Sequence, residues 1–224
     1  IKRLVQPPFE LEELTGIDYV LLSHDHRDHV DKESIKRLLS VNQPKKVLAP
    51  LGLTKLIQSW VKGAPVEEAG WYQTYATDAA APRITFLPSR HWCRRGLTDF
   101  NQVLWGAFAI QYGGKTYYFG GDSAETTYWA EAGRLFPDIA IAMLGIGAFS
   151  PHYMMQDNHA NPEEAWGGFE DLRAARLWPM HFGTYDLSDE PISEPPKRIR
   201  AAAAAAGRMD DLLLPGVNQP IYLD

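Results

Sequence analysis

The run Ser23-His24-Asp25-His26-Arg27-Asp28-His29 follows directly on an apolar stretch, Ile17 to Leu22, and it constrains this chain more than any other feature. Read as HxHxDH, it brings three imidazoles and a carboxylate into six residues. The apolar stretch reads as a buried strand, so these side chains are presented from the end of a rigid element. Neutral imidazole and carboxylate suit Zn²⁺, Fe and Mn, and the absence of thiolate argues against a closed structural zinc site. Alternate residues of an extended chain share a face, so His24 and His26 can grip one ion. Asp28 and His29 come after the chain has turned and can face a second ion. The spacing allows one metal with four of these ligands; two metals sharing further ligands from elsewhere fit it better. The bland alternative is a polar loop with chance histidines, but clusters at ligand spacing are seldom that.

Further ligands are expected downstream at strand ends. Ile84 to Pro88 reads as a strand running into Ser89, Arg90, His91, Trp92 and Cys93. Thr116 to Phe119 reads as a strand ending in Gly120, Gly121, Asp122 and Ser123, and Arg176 to Met180 is a short apolar run ending in His181. Five of the seven histidines fall at these ends. The other two, His152 and His159, share a loop near the end of another apolar run, Ile139 to Ile146. Taken singly, His91 or His181 would more often be structural; as members of one set they read as metal ligands. A sheet that presents every ligand along one edge is what such a site needs.

At 224 residues the chain suits a single domain, 1–224, with a sizeable core. Its 45% hydrophobic and 22% charged content is that of an ordinary globular protein, and its net charge of −6 argues against sequence-independent nucleic acid binding. No apolar run reaches the roughly 18 residues of a membrane span. Membrane contact is therefore expected to be peripheral at most, with the protein cytoplasmic or at the membrane surface. Cys93 is the only cysteine; it has no disulfide partner and reads as a small buried apolar residue, with a nucleophilic role the lesser alternative.

Strands alternate with helices, which makes the chain α/β. Asp31 is a candidate N-cap for a helix through Ile35, Leu38 and Leu39. Val47 to Ala49 is a short strand. Leu53, Leu56, Ile57, Trp60 and Val61 have helical spacing and read as core. Residues 73–82 connect elements, and Gly113-Gly114 marks a hairpin between Phe108–Ile110 and Thr116–Phe119. A helix is expected from Pro162 to about Ala175, another over the alanine-rich run from Arg200 to Ala206, and a closing strand near Leu212 to Leu214.

Several pieces then recur in a family order: HxHxDH, Pro88 to Arg95, Val103 to Gly106, Phe119 to Ser123, Ile146 to Phe149, Asn158 to Ala165 and His181 to Pro191. On these the chain resembles the metallo-β-lactamase superfamily and, within it, the N-acyl-phosphatidylethanolamine-hydrolysing phospholipase D family with its bacterial relatives. The resemblance covers about residues 15 to 200. HxHxDH marks only the superfamily; His91-Trp92-Cys93-Arg94-Arg95 and Asn161 to Ala165 narrow it. It implies an αββα sandwich with a two-zinc site at one edge, iron or manganese being the lesser alternatives. His24, His26 and His91 would hold one ion and Asp28, His29 and His181 the other, with Asp122 bridging. His159 matches a position next to substrate. The loop after Asp122 and the position of His152 depart from the family pattern, and both loops could touch substrate. Family members carry at least two strands ahead of HxHxDH, whereas 23 residues precede it here. The first sheet is therefore expected to lack its N-terminal strands, leaving an edge able to pair with a second copy in a homodimer.

The expected reaction is hydrolysis of a phosphodiester in N-acyl-phosphatidylethanolamine or a related phospholipid, by a hydroxide held between two cations. A lactonase or a hydrolase of small phosphorylated sugars is the alternative. Asp28 would orient the hydroxide as well as bind metal, and His159 would hydrogen-bond the phosphate or protonate the leaving group. Arg94 and Arg95 are candidates for bidentate phosphate contacts, with solvated surface charge as the competing reading. Trp92 and Trp105 read as packing around the metal edge.

Overall fold

A computed structural model describes residues 2–61, 63–216, 219 and 221. In chain order the elements are β1 (Lys2–Arg3), β2 (Tyr19–Leu21), α1 (Lys32–Val41), β3 (Lys46–Pro50), α2 (Thr54–Ile57), β4 (Val66–Ala69), β5 (Arg83–Leu87) and β6 (Ala107–Tyr112). They continue with β7 (Lys115–Phe119), α3 (Tyr128–Leu135), β8 (Ile139–Gly145), α4 (His152–Met155), α5 (Pro162–Asp171), β9 (Arg176–Met180), β10 (Tyr185–Asp186) and α6 (Glu194–Ala205). One sheet has the order β2-β3-β4 and a second the order β5-β6-β7-β8-β9, while β1 pairs with β10.

Period-two alternation along the strands sorts their side chains into layers. Leu48 of β3 packs with Ile84, Phe86 and Phe108 of the larger sheet, which fills the space between the two sheets. Its neighbours Val47 and Ala49 face the other way, onto Ile35 of α1 and Leu53 and Ile57 in and beside α2. On the larger sheet Leu87, Ala107, Ala109 and Tyr118 point away from the inter-sheet layer toward Trp129 of α3, Ala165 and Phe169 of α5, and Ile199 and Ala203 of α6. The result is helix, sheet, sheet, helix: the expected αββα sandwich.

Element ends differ from expectation where local chemistry intervenes. Asp31 does cap α1, accepting from Ser34 N–H, and Asn161 and Glu164 form a reciprocal capping box on α5. Helix α5 stops at Asp171, short of Ala175, because Arg173 takes a left-handed conformation (φ 52°) and Ala175 N–H already bonds to Ile139 of β8. Only four residues of the 53–61 stretch are helical, although Trp60 and Val61 are buried as the spacing requires. Helix α6 starts earlier than expected, at Glu194. The expected closing strand is a single bridge from Leu212 to Leu177. Among the described residues no helix is long and apolar enough to cross a membrane.

Candidate metal centre

Strand direction decides where the ligands meet. β7, β8 and β9 are parallel, and β5 is antiparallel to β6, which is antiparallel to β7. β5 thus runs with β7, and Ser89–His91, Asp122 and His181 leave the larger sheet at the same edge. The loop after β2 is joined to that edge by Gly106 N–H donating to the Ser23 carbonyl at 3.1 Å. Gly121 lets the chain turn into Asp122: it has φ 57°, and a Cβ there would stand 2.6 Å from the Gly106 carbonyl oxygen.

Asp122 is the hub. Its Oδ2 lies 3.1 Å from His29 Nε2, 3.3 Å from His181 Nε2, 3.7 Å from both His24 Nε2 and His91 Nε2, and 4.0 Å from His159 Nδ1. Asp28 Oδ2 is 3.4 Å from His29 and 3.7 Å from His181. Three groupings place one ligand atom per residue within 4.8 Å of the others: His24, His26, His91 and Asp122; Asp28, His29 and His181; and Asp122, His159 and His181. All seven residues expected as metal ligands are thus brought together, and His159 stands beside them. His152 is elsewhere, paired with Glu164 at 2.9 Å.

The donor set fits divalent cations. Seven buried side-chain N or O atoms lack a hydrogen-bond partner among the described residues, and six belong to this cluster: His24 Nε2, His26 Nε2, His29 Nε2, Asp122 Oδ1 and both nitrogens of His181. Orphaned buried polar atoms are costly unless something else satisfies them. Imidazole and carboxylate atoms converging at this spacing are what a transition metal takes.

A family model for the beta-lactamase superfamily domain matches residues 1–182. This chain belongs to that superfamily. Its fold is that of the superfamily. N-acyl-phosphatidylethanolamine-hydrolyzing phospholipase D 1 of Caenorhabditis elegans is 31% identical over 218 residues, which covers 94% of this chain and 61% of the relative. The mitochondrial N-acyl-phosphatidylethanolamine-hydrolyzing phospholipase D of Saccharomyces cerevisiae is 29% identical over 231 residues, covering 100% of this chain and 48% of the relative. The chain thus spans only part of the length of both. Among solved structures, the metallo hydrolase Igni18 of Ignicoccus hospitalis superposes with a TM-score of 0.68 at 21% identity, covering 90% of this chain and 77% of that one.

In this superfamily domain the rings are aimed by contacts outside the cluster, and most of these carry no sequence signature. His91 Nδ1–H donates to the Asn158 carbonyl at 2.9 Å, which leaves Nε2 with its lone pair facing inward. Ser23 Oγ lies 3.0 Å from His24 Nδ1, and Ser89 Oγ donates to the Asp122 carbonyl at 2.9 Å. His181 has φ 57°, a left-handed conformation costing about 1–2 kcal/mol. Glu190 braces the adjacent wall, accepting from Ala148 N–H at 2.6 Å and Ser150 N–H at 3.0 Å.

Burial and charge divide the imidazoles. Burial keeps His24 well below the ordinary histidine range, lowers His26, and brings His91 down to about 3 and His159 to about 4. Burial also opposes the cationic form of His29, but the carboxylates of Asp122 and Asp28 outweigh it and raise that ring to about 10. His181 is raised for the same reason. Asp28 and Asp122 are lowered despite burial, by the imidazoles around them.

Arg94 and Arg95, the candidate phosphate contacts, meet backbone carbonyls in the structure. Arg94 donates to the Gly96 and Leu97 carbonyls of its own loop. Arg95 Nη1 donates to the Asp25 and Val30 carbonyls at 2.7 and 2.8 Å, with the His26 carbonyl at 3.4 Å. Neither lines the cavity of about 420 Å³ that opens beside Asp28, His29 and His181. Cys93 is fully buried with its thiol pushed up by burial, so it is inert. Trp92 packs edge-on against His26, and Trp105 Nε1–H donates to the Ser89 carbonyl, both as packing around the edge.

Proposed function

We propose that this domain is a dinuclear zinc phosphodiesterase of the phospholipase D type, acting on N-acyl-phosphatidylethanolamine or a related phospholipid. The observation that carries the two-metal reading is the convergence of orphaned imidazole and carboxylate atoms around Asp122. His24, His26 and His91 would hold one ion, Asp28, His29 and His181 the other, and Asp122 would bridge them. When bound, such a pair supplies a water of lowered pKa and neutralises charge on the nonbridging phosphate oxygens. Asp28 faces both its ligand group and the cavity, so its carboxylate is positioned to orient the attacking water. His159 stands between the two groups, stacked on His181 and edge-on to His91. Its imidazole is within reach of a phosphate oxygen or a leaving oxygen there, where it acts by hydrogen bonding or proton transfer.

The substrate class rests on the named relatives and on the cavity wall. Leu4, Phe182, Leu187 and Ile192 line the space next to Asp28 and His181, an apolar surface suited to an acyl-bearing substrate. Elemental analysis of the purified protein tests the metal: two zinc ions per chain are expected, and iron would overturn zinc. Release of phosphatidic acid from N-acyl-phosphatidylethanolamine tests the substrate. Activity confined to water-soluble lactones or phosphorylated sugars would overturn the lipid reading while leaving the metal reading in place.

A further inference from the structure

Four of the seven candidate ligands, His24, His26, Asp28 and His29, lie on the irregular segment between β2 and α1. A loop carrying that many ligands needs its backbone fixed from outside, because each ligand atom must be held to within about 0.5 Å. The fixing comes from the segment after His91. Asp25, 2% exposed, accepts Arg94 N–H at 3.0 Å. In the opposite direction the Arg95 guanidinium reaches into the loop, where its Nη1 draws the Asp25 and Val30 carbonyls onto one nitrogen and lies 3.4 Å from the carbonyl of His26. Those carbonyls sit at either end of the turn that carries Asp28 and His29. The ring of Trp60 lies 5.7 Å from the guanidinium carbon, which holds the side chain from behind.

We propose that Arg95 is a positioning residue for the metal-binding loop: by clasping the Asp25, His26 and Val30 carbonyls it sets the spacing of the ligands between them. This rests on the reading that the cluster holds two metals. Arg95 then governs metal affinity and makes no contact with substrate phosphate. Contacts of this kind, one step outside the ligands, typically change metal affinity about 10–100-fold when removed. Lysine is a poor substitute, because its ammonium ends one bond short of the position Nη1 occupies and carries no planar fork.

The test is an equilibrium competition for zinc between the protein and a chromophoric chelator, with folding of each variant checked by circular dichroism. Wild type is expected to bind two zinc ions. Arg95→Met should bind about 10–100-fold more weakly, Arg95→Lys should fall between, and Arg94→Met should match wild type. The KM of zinc-saturated Arg95→Met for bis(4-nitrophenyl) phosphate should be unchanged. Wild-type zinc affinity in Arg95→Met with a raised KM would make Arg95 a phosphate contact and overturn the proposal. Wild-type affinity and KM with only a lower melting temperature of the metal-free protein would make it merely structural and overturn it equally. Should Arg95→Met not fold, Arg95→Lys decides, since wild-type affinity there leaves the clasp without effect. A wild type that takes up no zinc would instead bring down the metal reading itself, a result distinct from every failure confined to Arg95.

Discussion

The two candidate ligand groups meet at Asp122, but one is sealed and the other is open. In the first, His24, His91 and Asp122 are 1%, 8% and 4% exposed, with His26 half-buried at its margin. Asp28, His29 and His181 are only half-buried and line the cavity. The sealed group has ring nitrogens anchored from behind, at Ser23 and at the Asn158 carbonyl. In the open group His181 has no hydrogen bond on either nitrogen among the described residues and sits on a strained backbone. Charge divides them the same way: burial lowers the sealed imidazoles, whereas the carboxylates of Asp122 and Asp28 raise His29 to about 10 and raise His181 above its ordinary value. One group is built for retention and the other for access. Only the second can be reached from the cavity, so substrate would engage there.

Asp122→Asn should have the largest effect, because it removes a charge that both groups share. On the proposed reading it costs at least about 10³-fold in phosphodiesterase turnover, beyond the loss from deleting one transition-state donor. Elemental analysis should find fewer than two metals per chain. Near wild-type turnover with a full metal complement would refute the hub role of Asp122.

Acid and chelator should separate the two groups. Metal binding requires neutral imidazole. A proton on His29, raised to about 10, must therefore be displaced at any pH below that value, whereas His91, lowered to about 3, carries none to displace near neutrality. Affinity of the open group should fall about tenfold for each unit of acidification per displaced proton, while the sealed group barely responds. Dialysis at stepwise lower pH against a fixed chelator concentration should pass through a plateau of one metal per chain. Simultaneous loss of both metals would erase the distinction between the groups.

The convergence of the candidate ligands was legible in the sequence because they combine rare side chains with a fixed place, the ends of apolar runs, and parallel strands do the rest. The layers were legible only through the family resemblance: Val47, Leu48 and Ala49 are all apolar, so the run reads as a short strand without showing that its two buried faces meet different layers. Arg95 was not, since a guanidinium suits a phosphate and a set of carbonyls equally well, and only the folded segment shows which it meets. Asn158 acts through its backbone carbonyl and has no side-chain signature at all. Helix α3 escaped notice because its buried stripe is only Trp129, Ala132 and Gly133, too short for periodicity to register. The end of α5 depended on the φ of Arg173, a residue type that carries no such preference.

Glu190→Gln should act on the open group alone. The carboxylate receives two backbone N–H groups that hold the cavity wall beside His181, and a hydrogen bond to a charged group is worth about 1.5–3 kcal/mol. Gln keeps one acceptor, so on the proposed reading about a tenfold loss in kcat/KM is expected, with the ion proposed at His24, His26 and His91 retained. Loss of metal from that sealed group would show the two to be mechanically one.

The smallest effect should fall on the sealed side, at the N-cap of α5. Asn161 Oδ1 accepts Glu164 N–H and Glu164 Oε2 accepts Asn161 N–H, both at 2.9 Å. This box terminates the loop whose Asn158 carbonyl orients His91 and whose His159 stands between the groups. Asn161→Ala should cost about 1 kcal/mol, the usual value of a cap, and lower the melting temperature by about 2–4 °C for a chain of this size. The informative readout is which metal loosens. His91 is the ligand whose tautomer depends on this loop, so any weakening should appear in the tightly held ion. The ion proposed at Asp28, His29 and His181 should respond less, because none of those three hydrogen-bonds to the loop among the described residues and the loop's contact with them is the stacking of His159 on His181. If the labile ion responds instead, the division into a retained and an accessible metal has been drawn through the wrong residues.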